Sequence, residues 1–152
     1  MNWKLLPVTI ALFVVALLAG RFLAEQQGEG EHERLAPLWC EPESGDCVYA
    51  LTGQGEIRFS LEPRERIRPM EPLTARLEYS AEGMHATAMT LTGLNMEMGH
   101  NRFLFRESGS GYDASVIIPV CTLARMEWEA LAEVEIQGRQ LAVPFRFAVE
   151  RK

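Results

Sequence analysis

From residue 55 onward, apolar and polar residues alternate in short runs, and each run is bounded by Gly, Pro, Ser or Asn. Side chains on an extended strand point alternately to opposite faces, so a period of two marks strands with one face buried. The pattern predicts strands at residues 56–62, 73–80, 86–92, 102–106, 112–118, 127–137 and 140–149, with a hairpin-like turn at Gly138-Arg139 joining the last two. The segment R-I-R-P-M-E-P-L carries two prolines before the second strand and reads as a connection crossing between sheets. About seven short strands at these spacings predict an all-β fold, an Ig-like antiparallel β-sandwich over residues 55–152.

The amino-terminal part follows another pattern. Residues 5–20 carry no charge and lie between Lys4 and Arg21, and Phe22 to Ala24 extend the run toward the roughly 17 to 25 residues that cross a bilayer. Leu18 and Phe22 are bulky where a signal peptidase needs a small side chain, so residues 1–24 are expected to form an uncleaved transmembrane helix. Lys4 on the short side places the N-terminus in the cytoplasm and the domain outside it, a single-pass protein of the inner (cytoplasmic) membrane facing the periplasm or its equivalent. Residues 25–54 are then an acidic spacer and a cysteine-containing section. The spacer E-Q-Q-G-E-G-E-H-E-R has few apolar atoms, and its His32 reads as a surface residue.

The chain of 152 residues has a net charge of −6. Residues 1–24 hold Lys4 and Arg21 and no acid, which leaves 13 basic against 21 acidic side chains, or −8, in the remainder. Nucleic acid is excluded as a partner on that balance, because affinity for phosphate backbones comes from clustered Lys and Arg. Cys40 and Cys47 flank the turn-rich loop E-P-E-S-G-D, and outside the cytoplasm they are disulfide candidates. With Cys121 as a third cysteine, the sequence leaves three pairings open.

Soft-ligand chemistry concentrates in G-L-N-M-E-M-G-H-N-R-F-L-F, residues 93–105. On an extended chain Met96, Met98 and His100 would project from one face, and thioether with imidazole suits Cu(I) better than zinc, calcium or magnesium. The spacing alone favours the competing reading, in which the methionines fill a sheet's core and His100 starts the next turn. Strand-end loops gather at the poles of a sandwich, so the loop after Pro119 can bring Cys121 and Met126 to the same pole, while Trp128 is expected in the core. Met84-His85 form a second soft pair on adjacent residues, which point apart on an extended chain and read as surface.

No catalytic assignment emerges. E-S-G-S-G-Y lacks the spacing of a serine nucleophile elbow, no third residue orients a Cys121–His100 pair, and Glu127 and Glu129 flank Trp128 as ordinary strand residues. The chain is therefore expected not to be an enzyme.

The N-terminal anchor, I-R-F-S-L-E-P, the proline-rich link, L-T-A-R-L-E-Y, the M-x-M-G-H segment, G-Y-D-A-S-V-I-I-P, an E-W pair and a final F-R-F-A-V together resemble the FixH-like and YtkA-like group of small extracytoplasmic Ig-like proteins. That resemblance implies copper handling and cytochrome oxidase assembly, with a membrane copper transporter or oxidase assembly factor as partner. Its most specific part is Met96, Met98 and Gly99, followed by the G-Y strand and Trp128. The three cysteines depart from the group, and Cys40 and Cys47 belong to an added section. The expected function is membrane-anchored Cu(I) binding for copper delivery or oxidase assembly, with Met96, Met98 and His100 as primary ligands and Cys121 and Met126 supplementary. The rival expectation is a structural or interaction module of a membrane complex that binds no metal.

Overall fold

Along residues 125–136 every even-numbered side chain is buried, and the partner strand repeats the pattern in odd numbers at its far end. Those two strands form the backbone of one sheet in a computed structural model that describes residues 32–151. The strands in chain order are β1 (Glu33–Arg34), β2 (Leu38–Trp39), β3 (Cys47–Leu51), β4 (Gly55–Glu62), β5 (Pro72–Tyr79), β6 (Met84–Gly93), β7 (His100–Leu104), β8 (Arg106–Ser108), β9 (Gly111–Ile117), β10 (Arg125–Ile136) and β11 (Arg139–Glu150). A 3-10 turn, Arg64–Arg66, follows β4. Among the described residues no helix is long and apolar enough to cross a membrane. The anchor expected at residues 1–24 lies outside the described residues.

Two sheets carry the fold. The first runs β1-β11-β10-β6-β7, with β2 also pairing β11, and the second runs β3-β4-β5-β9-β8. Their inner faces meet as a β-sandwich: Phe59 of the second sheet stacks on Phe145 of the first at 4.9 Å, and Phe147 and Tyr49 close around the pair. Trp128 is fully buried, as the sequence predicted.

The seven predicted strands are all present with small shifts at their ends, and 102–106 divides into the end of β7 and the start of β8. The last hairpin turns one residue earlier than expected. Ile136 pairs with Arg139, and Gln137 and Gly138 both adopt positive φ, 53° and 77°, the two-residue turn whose twist matches that of the flanking strands.

Two expectations are corrected. The proline-rich link does not cross between sheets, because β4 and β5 are antiparallel neighbours in the same sheet. The crossings fall instead between β2 and β3, between β5 and β6, between β7 and β8, and between β9 and β10. The sheets also begin before residue 55. β1 and β2 run parallel to β11, and β3 forms the edge beside β4. These strands are only two to five residues long, too short for alternation to register.

Residues Leu141 to Phe145 of β11 are buried on both faces. The segment 33–39 lies beside β11 as its parallel neighbour in the sheet, where Leu35 N–H donates to Ala142 O and Cys40 N–H to Arg146 O. Pro144, with no N–H to offer, falls between β1 and β2, where no ladder bond is required. Arg34 and Arg146 both bond the buried carboxylate of Glu129, Arg146 at 2.9 Å, and so tie the segment to β10.

The Cys40–Cys47 pairing is present, with Cα atoms 5.6 Å apart. It joins the end of β2 on one sheet to the start of β3 on the other. Cys121 is free and buried.

Candidate functional site

The loops 94–99 and 118–124, the link 63–71 and the end of β11 gather at one pole of the sandwich. The chain enters β1 at the other pole, beside the hairpin turn. The loop after Gly93 reaches the first residues of β10, directly beyond the loop that follows Pro119, through Asn95. Its amide donates to Arg125 O at 3.1 Å and accepts from Glu127 N at 3.0 Å, while Leu94 N–H donates to Glu127 O at 2.8 Å. Asn95 thereby mimics one more residue of β6 against the start of β10.

Gly93 is where the methionines converge. It pairs with Trp128, so its missing side chain would point into the core face. A Cβ there would stand 2.4 Å from Met96 O, 3.2 Å from Met126 Cε and 3.4 Å from Met98 Cγ. The loop doubles back across the glycine, and two thioether side chains reach one point from a loop and from a strand. Met126 is buried, and Met96 and Met98 are half-buried against the core cluster.

The i, i+2, i+4 row expected of residues 96–100 does not form, because the loop continues through Gly99 and β7 begins only at His100. Gly99 has φ +69°, and its N–H bonds the Glu97 carboxylate at 2.9 Å, which turns the chain before the strand starts. His100 pairs with Thr92, and the Thr92 hydroxyl lies 3.2 Å from its Nδ1. Thr92 in turn pairs with Glu129, whereas Gly93 pairs with Trp128. Successive strand residues face opposite ways, so His100 is exposed on the outer face of the sheet while Met98 and Met126 are on the inner one.

Cys121 is buried in the 118–124 loop, where its Sγ accepts from Leu123 N–H at 3.4 Å and its carbonyl accepts from the Arg151 guanidinium at 3.3 Å. The pole thus holds the thiol of Cys121 and four thioethers, the exposed Met70 with Met96, Met98 and Met126, of which Met98 and Met126 converge over Gly93. Among the described residues no three His, Cys, Asp or Glu side chains cluster as a metal-holding group. The donor set is soft sulfur, which fits Cu(I) and not a hard cation. The indole N–H of Trp128, the register partner of Gly93, is buried with no hydrogen-bond partner.

The second soft pair sits at the other pole. His85 is exposed and Met84 half-buried, and the Tyr112 hydroxyl donates to Met84 O at 3.1 Å and lies 3.5 Å from His85 Nδ1. Burial, then the Glu107 carboxylate, raises the Tyr112 phenol above its ordinary value of 10.0.

Residue type alone does not mark Gly93 and Asn95 as site residues. Their signal was available: a glycine closing a strand pattern marks close approach of other atoms, and Asn readily substitutes for backbone. Comparison with protein families, curated proteins and solved structures found no match to this chain.

Proposed function

We propose that this chain is a membrane-anchored, extracytoplasmic Cu(I)-binding protein that serves in copper delivery or respiratory oxidase assembly. The observation that carries the reading is the convergence of Met98 and Met126 over Gly93. Met96 lies in the same loop, and Cys121 is at the same pole as a supplementary donor. His100 is on the other face, so the reading rests on sulfur. A thioether set holds Cu(I) without competing for Zn(II) or Cu(II), and partial burial limits access of water and oxidant to the ion.

The strand order supports the finer, Ig-like description. β4-β5-β9-β8 facing β11-β10-β6-β7 follows the two-sheet arrangement of that fold, with β3 as an added edge. The uncharged run of residues 5–20 supports the anchor, and the loose resemblance to the FixH-like and YtkA-like group supports the copper role.

A second reading has its own observation. Met70, Leu94, Val120 and Leu123 are exposed at the methionine pole, and Met126 is packed like a core residue, as an interaction module without metal would have it. Metal analysis of the full-length protein purified from its native membrane separates the two. Copper in near-stoichiometric amount supports the first reading, and protein free of copper after purification under reducing conditions contradicts it.

A further inference from the structure

Trp39 and Trp128 are the two tryptophans of the described residues, and they contrast sharply: Trp128 is wholly enclosed, whereas Trp39 is 51% exposed. Trp39 ends β2 and forms one wall of a pocket of about 380 Å³, whose other walls come from the disulfide loop and the ends of β10 and β11. Glu41 and Glu43 stand on the loop side, and Arg125 and Glu150 on the strand side.

The charges are arranged to receive a cation. Among the described residues the Glu41 carboxylate accepts only from the Ser44 hydroxyl, at 3.3 Å, and neither Glu41 nor Glu43 has an ion-pair partner. Arg125 and Glu150 face each other at 3.5 Å with both side chains more than half exposed, a pair that an incoming charge can rearrange at little cost. Arg146, the register partner of Trp39, is turned away to Glu129. The pocket therefore combines an open indole with two uncommitted carboxylates.

Its geometry is fixed in advance. The disulfide closes residues 40–47 into a ring, Ser44 N–H and Gly45 N–H both bond Glu41 O, and Cys40 N–H bonds β11. A preordered rim loses little entropy when a ligand enters.

We propose that this pocket is a docking site for an arginine side chain presented by a partner protein. A guanidinium stacks on an indole and meets a carboxylate with a two-pronged fork, whereas an ammonium does neither as well. The excess of acid over base after residue 24 draws a basic partner toward the surface before contact. This proposal is independent of the copper reading, since no methionine or Cys121 lines the pocket.

The test uses the full-length chain in a neutral detergent and the peptide acetyl-Gly-Arg-Gly-Arg-Gly-amide, with lysine and citrulline counterparts, followed by NMR shifts of the Trp39 indole and the 41–44 amides. Saturable shifts with the arginine peptide, weaker binding of the lysine peptide and none of the citrulline peptide are expected. Trp39→Ala is expected to weaken binding about tenfold, and Glu41→Gln with Glu43→Gln to weaken it several-fold and flatten its salt dependence. Equal binding of arginine and citrulline peptides, no saturable shift, or an unchanged affinity in Trp39→Ala overturns the proposal. So does tetramethylammonium binding as tightly as the arginine peptide, which would make the pocket a quaternary-ammonium site. Self-association of the chain abolished by Trp39→Ala overturns it as well, in favour of a second copy.

Discussion

Met98 and Met126 meet over Gly93, one carried by a loop and the other by β10, so that their side chains fill the space a Cβ on that glycine would take. Substituting Gly93→Ala places a methyl group against Met96 O as well as both thioethers. The loop must shift, at a cost of about 1–3 kcal/mol typical of overpacking. Denaturant unfolding is expected to show that loss, and Cu(I) affinity is expected to fall with it. An unchanged unfolding midpoint would mean that the loop does not need the glycine.

The indole N–H of Trp128 is buried without an acceptor. Leaving a donor unpaired costs free energy, so Trp128→Phe removes an unfavourable group together with some packing area. The two effects oppose, and the expected net change is within about 1.5 kcal/mol. A loss well above that in equilibrium unfolding would show that the N–H has an unrecognised partner.

Glu129 holds Arg34 and Arg146 at once, and its carboxylate is nearly closed off from water. Glu129→Ala leaves both guanidiniums without their acceptor. A loss of about 2 kcal/mol is expected, discounted from that of a fully buried pair because Arg34 is half exposed. The effect should be greatest where Arg34 ties the chain down, so hydrogen exchange of the amides in 33–39 is expected to rise more than that of β10. Equal acceleration everywhere would contradict the tether.

Tyr112 gives a pH signature. Burial and Glu107 raise its phenol above 10.0 in the folded chain, so the folded state keeps a proton that the unfolded state has lost. Stability from this group is complete below pH 10 and is lost as pH rises through the interval up to the folded value. Tyr112→Phe is expected to flatten the fall in thermal midpoint above pH 10, and an identical fall in the variant would locate its origin elsewhere.

The sheets were legible because strands such as β5 and β9 bury one face and solvate the other, and the period of two survives in sequence. The early strands were not, because β1 and β2 have two residues each and owe their conformation to β11. The pole was legible in outline: sandwich topology places the loops after Gly93 and Pro119 at one end, and Asn95 ties the first of them to the start of β10. The ligand row was not. A left-handed residue at Gly99 changes which face the next side chain takes, and period counting assumes that no such turn intervenes. Gly93 and Trp39 matter through their surroundings, which the sequence does not show.

The most direct test is a competitive Cu(I) titration of the full-length protein under reducing conditions, comparing the native chain with Met98→Leu, Met126→Leu and His100→Ala. Leucine keeps methionine's volume, at a cost below about 1.5 kcal/mol, so the fold should persist while the sulfur is lost. Each methionine variant is expected to bind Cu(I) at least about tenfold more weakly, with His100→Ala near the native affinity. Native affinity in both methionine variants, or loss in His100→Ala alone, would contradict a sulfur site over Gly93.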